Sequence, residues 1–323
     1  MMRALVAVGL ILVGTSAFGK GLTKLAPTER LSLLAGRLSI QMPPKARIEA
    51  RSRSIMAAAE PTAEETRVVV EAGNEKLVLM TYELFAQAGA DFEAAAKKDL
   101  HRFGNPAPTM AVEPLVLTNG GALRALSLTP ASIDATKEAV LTLGLYVAQP
   151  DDTVQLLVFY FNPAAAKDAA GCAALAKKIA ATVEAGKTTL PTRGGPRPLS
   201  DGLTVTLPVG YIATQQEGPD FAVHRIRKLS PLGDDAPVLG VYIGNHPAYH
   251  HTRLEGAPVK VQKRPGKLFG KPIAWDTWDK DGVSTREAIV ALPAPSNLKI
   301  HVFFAGPSAA ANDELERVAE TLR

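Results

Sequence analysis

The feature that most constrains this chain is that it repeats itself. Three short segments recur in the same order. Leu38-Ser39-Ile40-Gln41-Met42-Pro43 returns as Leu203-Thr204-Val205-Thr206-Leu207-Pro208. Thr136-Lys137-Glu138-Ala139-Val140 returns as Thr285-Arg286-Glu287-Ala288-Ile289, and Val158-Phe159-Tyr160-Phe161-Asn162-Pro163 as Val302-Phe303-Phe304-Ala305-Gly306-Pro307. Matches in a common order read as two diverged copies of one unit, and such periodicity outranks any local pattern. The first segment alternates apolar and polar residues with period two and stops at proline, which cannot continue a central ladder; it reads as a half-buried strand. The third reads as a buried strand running into a helix, where proline at the first position sacrifices no hydrogen bond.

Between these segments the first copy offers a hairpin, Thr66 to Val70 and Leu77 to Leu84 around Ala72-Gly73-Asn74-Glu75. A helix over Asp91 to Arg102 follows, then strands near 112–118 and 122–129 split by Asn119-Gly120-Gly121, a hairpin turn signal. The second copy matches the hairpins with His224 to Leu229 and Val238 to Ile243, and with 258–263 and 271–277. Its stretch His246 to Gly256 is too short and broken for the helix. Final helices are expected over 163–184 and 308–322, the second with an apolar stripe of Leu315, Val318, Ala319 and Leu322. Residues 20–35 read as a short lead-in. The expected fold class is α+β: two tandem antiparallel sheets, each with a packed C-terminal helix, the second copy lacking one helix. The boundaries are 36–186 for copy one, a Pro/Gly-rich linker over 187–199, and 200–323 for copy two.

This element order, with a strand ending at Pro43 or Pro208 and a long final helix, resembles the PsbP-like proteins. That family includes the extrinsic photosystem protein, a nuclear-transport cofactor and many bacterial exported proteins. The resemblance implies protein partners and no shared catalytic residues, and the missing second-copy helix departs from the pattern.

The chain opens Met1-Met2-Arg3 and runs apolar from Ala4 to Gly14, then through Thr15, Ser16, Ala17, Phe18 and Gly19. A positive start, a short apolar core and small residues at a cleavage point make 1–19 a signal peptide, placing the mature chain in the periplasm or outside the cell. Lys20 and Lys24 end the run before the roughly 20 apolar residues a membrane span needs, so no transmembrane anchor is expected after its removal. The formal net charge of +4 over 323 residues is mild and argues against a nucleic-acid partner. Cys172 is the one cysteine, so no internal disulfide forms. It shares an apolar helical stripe with Leu175, Ala176, Ile179 and Val183 and reads as a core thiol.

The chemical leads cluster in the second copy. His246, His250 and His251 are half of the six histidines and offer imidazoles to a metal such as Zn²⁺, with Glu255 the one nearby acidic candidate; Pro247 and the shortness of the segment favour the plainer reading, a solvated loop in place of the lost helix. Asp279-Lys280-Asp281-Gly282 fails the spacing of a calcium loop and reads as a turn. Lys260, Lys263, Arg264, Lys267 and Lys271 form a basic hairpin that suits an anionic glycan or lipid, or simply guards an edge strand. Trp275 and Trp278, three apart, fall on opposite sheet faces, which leaves Trp278 a candidate recognition residue. There is no Gly-x-Ser-x-Gly elbow, no phosphate loop behind a strand and no His-Glu-x-x-His, so no catalytic residue and no cofactor is assigned. The leading expectation is an exported non-catalytic protein that binds another protein or an envelope component. A metal-binding protein or metal-dependent enzyme and an anionic glycan or lipid binder are the alternatives.

Overall fold

The computed structural model describes residues 21–323 apart from 56–61, 105–108, 120, 133–136, 235, 255–257 and 293–296. The leader expected over 1–19 lies outside the described residues, as do Glu255 and Thr136. Alternation and turn chemistry carve the first half into β1 (Glu29–Leu33), β2 (Leu38–Met42), β3 (Arg47–Ile55), β4 (Thr62–Ala72) and β5 (Glu75–Gln87). Then come α1 (Phe92–Lys98), β6 (Met110–Pro114), β7 (Arg124–Pro130), β8 (Val140–Ala148), β9 (Thr153–Phe161), α2 (Pro163–Ala166), α3 (Ala169–Ala180) and β10 (Glu184–Ala185). The second half holds β11 (Gly195–Pro198), β12 (Thr204–Leu207), β13 (Tyr211–Glu217), β14 (Phe221–Lys228), β15 (Ser230–Pro231) and β16 (Val238–Gly244). It ends with β17 (Gln262–Leu268), β18 (Lys271–Lys280), β19 (Val283–Ala291), β20 (Lys299–Gly306) and α4 (Ala309–Ala319). Short 3-10 turns lie at Asp99–Phe103 and His250–Arg253.

The expectation of two α+β domains is corrected on two counts. The described chain is mostly β, with its longest helix, α3, only 12 residues. Fifteen of its strands also form one continuous sheet rather than one for each half, in the order β17-β18-β19-β20-β16-β14-β13-β3-β4-β5-β9-β8-β7-β6 with β15 beside β5, while β1-β2-β10 and β11-β12 make two small sheets. The join is the antiparallel pairing of β13 with β3, Thr214 opposite Ile55 and Gln215 opposite Ser54. Neither strand was visible in the sequence. β3 reads Arg-Ile-Glu-Ala-Arg-Ser-Arg-Ser-Ile and β13 ends Thr-Gln-Gln-Glu, so no apolar alternation marks the stretches that meet. On each side of the join the strands follow one order. Outward from the seam, the first half runs first, second, third, seventh, sixth, fifth, fourth in chain sequence, and so does the second.

The repeated segments do not all mark equivalent places. Leu38–Met42 and Leu203–Leu207 do, both alternating in burial just ahead of the seam strands. The third pair is out of register by one residue. Leu157, Phe159 and Phe161 face the first core, whereas in the second it is Ile300, Val302 and Phe304, so Phe303 points away from the side that Phe159 faces. The second pair fails outright: Val140 opens β8, but Ile289 lies near the end of β19.

Each half keeps its own apolar interior on one face of the shared sheet. In the first, Val68, Val70, Leu77, Leu79, Leu145 and Phe159 pack beneath Cys172, Leu175 and Ile179 of α3. In the second, Val205, Ile226, Val241, Trp275, Val302 and Phe304 pack beneath Leu315, Val318 and Leu322 at the α4 end. Each such side chain contributes about 1.5–3 kcal/mol when fully buried. The Cys172 thiol is pushed up to about 12 by burial, which makes it inert at neutral pH. The opposite face differs between halves. In the first, Phe92 and Ala96 of α1 cover Leu126, Leu128, Tyr146 and Leu156. In the second, the turn at His250–Arg253 lies there, with the N–H groups of His250 and His251 bonded to Glu287. Part of the expected linker is structured, since β11 pairs with β12.

Candidate functional site

Two features stand on the sheet face away from α3 and α4. The first is an open groove of about 860 Å³ beside α1. Its floor is Leu141, Leu156 and Val158 with the rings of Tyr82 and Tyr160. These residues reach one face because β5, β8 and β9 are adjacent and alternate. Phe103, Met110 and Pro130 close it laterally, while Arg102, Lys137 and Arg227 bring cations to its rim. Arg227 comes from β14, so the groove draws on both halves. Burial raises both phenols, Tyr82 to about 12, so each keeps its proton at neutral pH and stays a hydrogen-bond donor. Arg102 is anchored by two hydrogen bonds to the buried Asp99, 2.7 and 2.9 Å, and Asp99 also accepts from Tyr146 at 2.6 Å. That cluster pins the 3-10 turn over β8.

The second feature is built around Glu287 in the second half. Glu287 on β19 lies opposite Phe303 on β20, and His301 sits two residues along, on the same face. Gly240 on β16 faces Phe303, whose ring would lie 2.1 Å from any Cβ there, so only glycine admits that ring. The His250–Arg253 turn caps this row. Glu287 is fully buried and collects donors from every side. His301 Nε2 is 2.8 Å from Oε2, His251 Nδ1 is 2.7 Å from Oε1, and the backbone N–H of His250 donates to Oε2 at 2.8 Å. His250 Nδ1 stands 3.6 Å from Oε2. Burial opposes ionisation of Glu287, but the hydrogen bonds from His301, His250 and His251 outweigh it and hold its pKa at about 2. Burial and neighbouring His301 lower His250, leaving it neutral. The rings pack tilted or edge-on into an aromatic wall, with Tyr249 and Trp278 against His251 and Phe303 edge-on to His250 at 4.4 Å between centroids. The ligand-type atoms of His250, Glu287 and His301 all lie within 4.8 Å of one another.

The residues singled out in sequence are thus partly assembled. His250 and His251 meet at Glu287, while His246 stays exposed outside the cluster. Glu287 and His301, distant in sequence from the histidine segment, were not anticipated; the pairing of β19 with β20 is what delivers them. Trp278 is buried under His251, so it is a wall and not an exposed recognition residue. Trp275 is on the opposite face, as its spacing requires, donating to Glu316 at 2.9 Å. The basic hairpin does not form one patch. Lys263 pairs with Asp276, and Arg264 turns to the α4 side and pairs with Asp313 at 2.9 Å. Lys260, Lys267 and Lys271 are exposed. The expected turn is present: Asp281 and Gly282 both have positive φ, 52° and 78°, the conformation a two-residue hairpin favours.

No family model matches the chain, and no curated protein matches it. Two solved structures resemble it. One, the crystal structure of MucB in complex with MucA(peri), is 11% identical with a TM-score of 0.21, covering 88% of this chain and 86% of that one. The other, the Pseudomonas aeruginosa MucA/MucB complex, is 11% identical with a TM-score of 0.20, covering 86% and 93%. Likeness at these scores carries no argument about function. Among the described residues, no helix is long and apolar enough to cross a membrane.

Proposed function

We propose that this is an exported, non-catalytic binding protein that takes a segment of a partner polypeptide in the groove beside α1. One observation carries the reading: an opening of about 860 Å³ with an apolar floor, two phenol donors and a rim where Arg102, Lys137 and Arg227 stand with Glu65. That size and mixture suit a binding site, where apolar area supplies affinity and a few polar groups fix orientation. Tyrosine, phenylalanine, methionine and arginine, the residues enriched where proteins meet, line it together. Export is supported by the apolar stretch after Met1-Met2-Arg3, and protein partnership by the resemblance to PsbP-like proteins.

The test places a photo-crosslinking residue at Lys137 on the groove rim and, as a control, at Gln262 on the far edge strand of the mature chain. The expected result is a discrete polypeptide adduct from the Lys137 position alone. A Tyr82→Ala/Tyr160→Ala variant, which empties the floor, is expected to lose it. An adduct that survives those substitutions, or forms equally from Gln262, would overturn the assignment, as would the absence of any polypeptide adduct.

A further inference from the structure

We infer that Glu287, His301 and His250 form a binding site for one divalent transition ion of the zinc type. The argument is independent of the groove and rests on how three elements converge. β19 supplies a carboxylate, the adjacent β20 supplies an imidazole through its Nε2, and the 3-10 turn lays a second imidazole over both through its Nδ1. Neutral imidazole nitrogen and carboxylate oxygen are the donors that zinc accepts, at about 2.0–2.2 Å. A tetrahedral ion at those lengths needs its ligand atoms roughly 3.3 Å apart. The separation of His250 Nδ1 from Glu287 Oε2 is 3.6 Å, and that of His301 Nε2 from Oε2 is 2.8 Å. An ion that replaces the proton shared by His301 and Glu287 therefore asks the two strands' side chains to open by only about half an ångström.

The surroundings are those of a held ligand set. The His301 and Glu287 side chains are 4% and 0% exposed, whereas His250 is 43% exposed, so the ion has two fixed ligands at the bottom and one at the mouth. The other carboxylate oxygen, Oε1, is taken by His251 Nδ1 at 2.7 Å, which orients the carboxylate as outer partners of metal ligands do. His251 is a positioning residue here and not a ligand. Three protein ligands leave a fourth position on the His250 side for solvent or a donor from outside the chain.

The experiment uses the mature chain purified without a histidine tag and stripped with a chelator, titrated with Zn²⁺ by calorimetry and with Co²⁺ by visible absorption. Wild type is expected to take one equivalent at micromolar metal or tighter, with a Co²⁺ spectrum of low-coordinate nitrogen–oxygen ligation. His250→Ala, at the half-exposed mouth, should weaken binding by at least about 100-fold. Glu287→Gln should abolish the spectrum, and His251→Ala should cost about 10- to 100-fold, as loss of an outer partner does. His246→Ala should change nothing. The assignment is overturned if wild type takes no stoichiometric metal. It is overturned equally if binding survives His250→Ala, or if His246→Ala removes it.

Discussion

At the scale of single residues, the buried polar groups decide how the protein answers its solvent. His224 on β14 is fully buried, and the Ser200 N–H donates to its Nε2 at 3.2 Å, which fixes it as a neutral imidazole. Burial drives its pKa down to about 4. Unfolding returns it to an ordinary histidine near 6.5, so between those two values the unfolded chain binds the extra proton and stability falls as the pH drops. The contribution is complete above pH 6.5 and is lost by pH 4, up to about 3 kcal/mol for a shift of this size. A His224→Gln variant keeps an acceptor for Ser200 and cannot titrate. Its urea midpoint should fall less between pH 7 and 4.5 than that of wild type; parallel falls in the two proteins would remove His224 from the account. A second buried polar group, Arg37, is bonded to Glu83 at 3.0 Å, and Gln155 donates to the same carboxylate oxygen at 2.9 Å. The Arg37 guanidinium is held in the first core by hydrogen bonds to Glu83, Asp151, Thr153 and the Thr188 carbonyl.

At the scale of elements, the junction of β9 with the helices shows how one side chain sets two pieces of backbone. Asn162 Oδ1 accepts from Ala165 N at the start of α2 at 3.1 Å and from Lys76 N at 2.9 Å, and its Nδ2 donates to Asn74 O at 2.7 Å. It caps a helix and ties down the β4–β5 turn together. Asn162→Ala should destabilise the protein by about 1–2 kcal/mol, the upper range for a lost cap, and Asn162→Asp, which retains the acceptor, by less. A loss under about 0.5 kcal/mol in the alanine variant, measured by denaturant unfolding at unchanged slope, would show that the turn holds itself. The second half has no counterpart: Gly306 ends β20, and Ser308 caps α4 instead, accepting from Ala311 N at 3.2 Å. The sequence match of Asn162-Pro163 with Gly306-Pro307 therefore joins residues of different roles.

At the scale of the whole molecule, two cores share one sheet, and their coupling rests on a narrow set of contacts. Beyond the β3–β13 ladder, Phe85, Leu190 and Ile212 form a small buried cluster between the halves, with the Arg227 guanidinium 4.7 Å from the Phe85 ring centre. β15 of the second half pairs in parallel with the end of β5, and Leu232 beyond it enters the first half's second core. Phe85 holds a left-handed backbone, φ 54°, at the irregularity in β5 between Glu83 and Gln87, which is how its ring turns out of the first core toward the second half. Phe85→Ala should cost about 3–5 kcal/mol and split the calorimetric melt into two transitions, one for each core. A single melt merely shifted to lower temperature would mean that the seam ladder alone couples the halves.

What the sequence determined by itself is whatever its periodicity encodes. The 3.6-residue stripe with Cys172, Leu175 and Ile179 gives α3, that with Leu315, Val318 and Leu322 gives α4, and the two-residue alternation of Leu38–Met42 gives β2, because in each case burial of one face is written residue by residue. The odd spacing of Trp275 and Trp278 placed them on opposite faces for the same reason. The clustering of His250 and His251 was legible because the two are adjacent, but Glu287 and His301 carry no local signal of their partnership. They meet through the register of β19 on β20, a relation between strands that exists only once the sheet has formed. The merging of two sheets into one was likewise decided in three dimensions. β3 and β13 are too polar to announce themselves, and the ladder that joins them pairs residues far apart in the chain, with no local signal of the match.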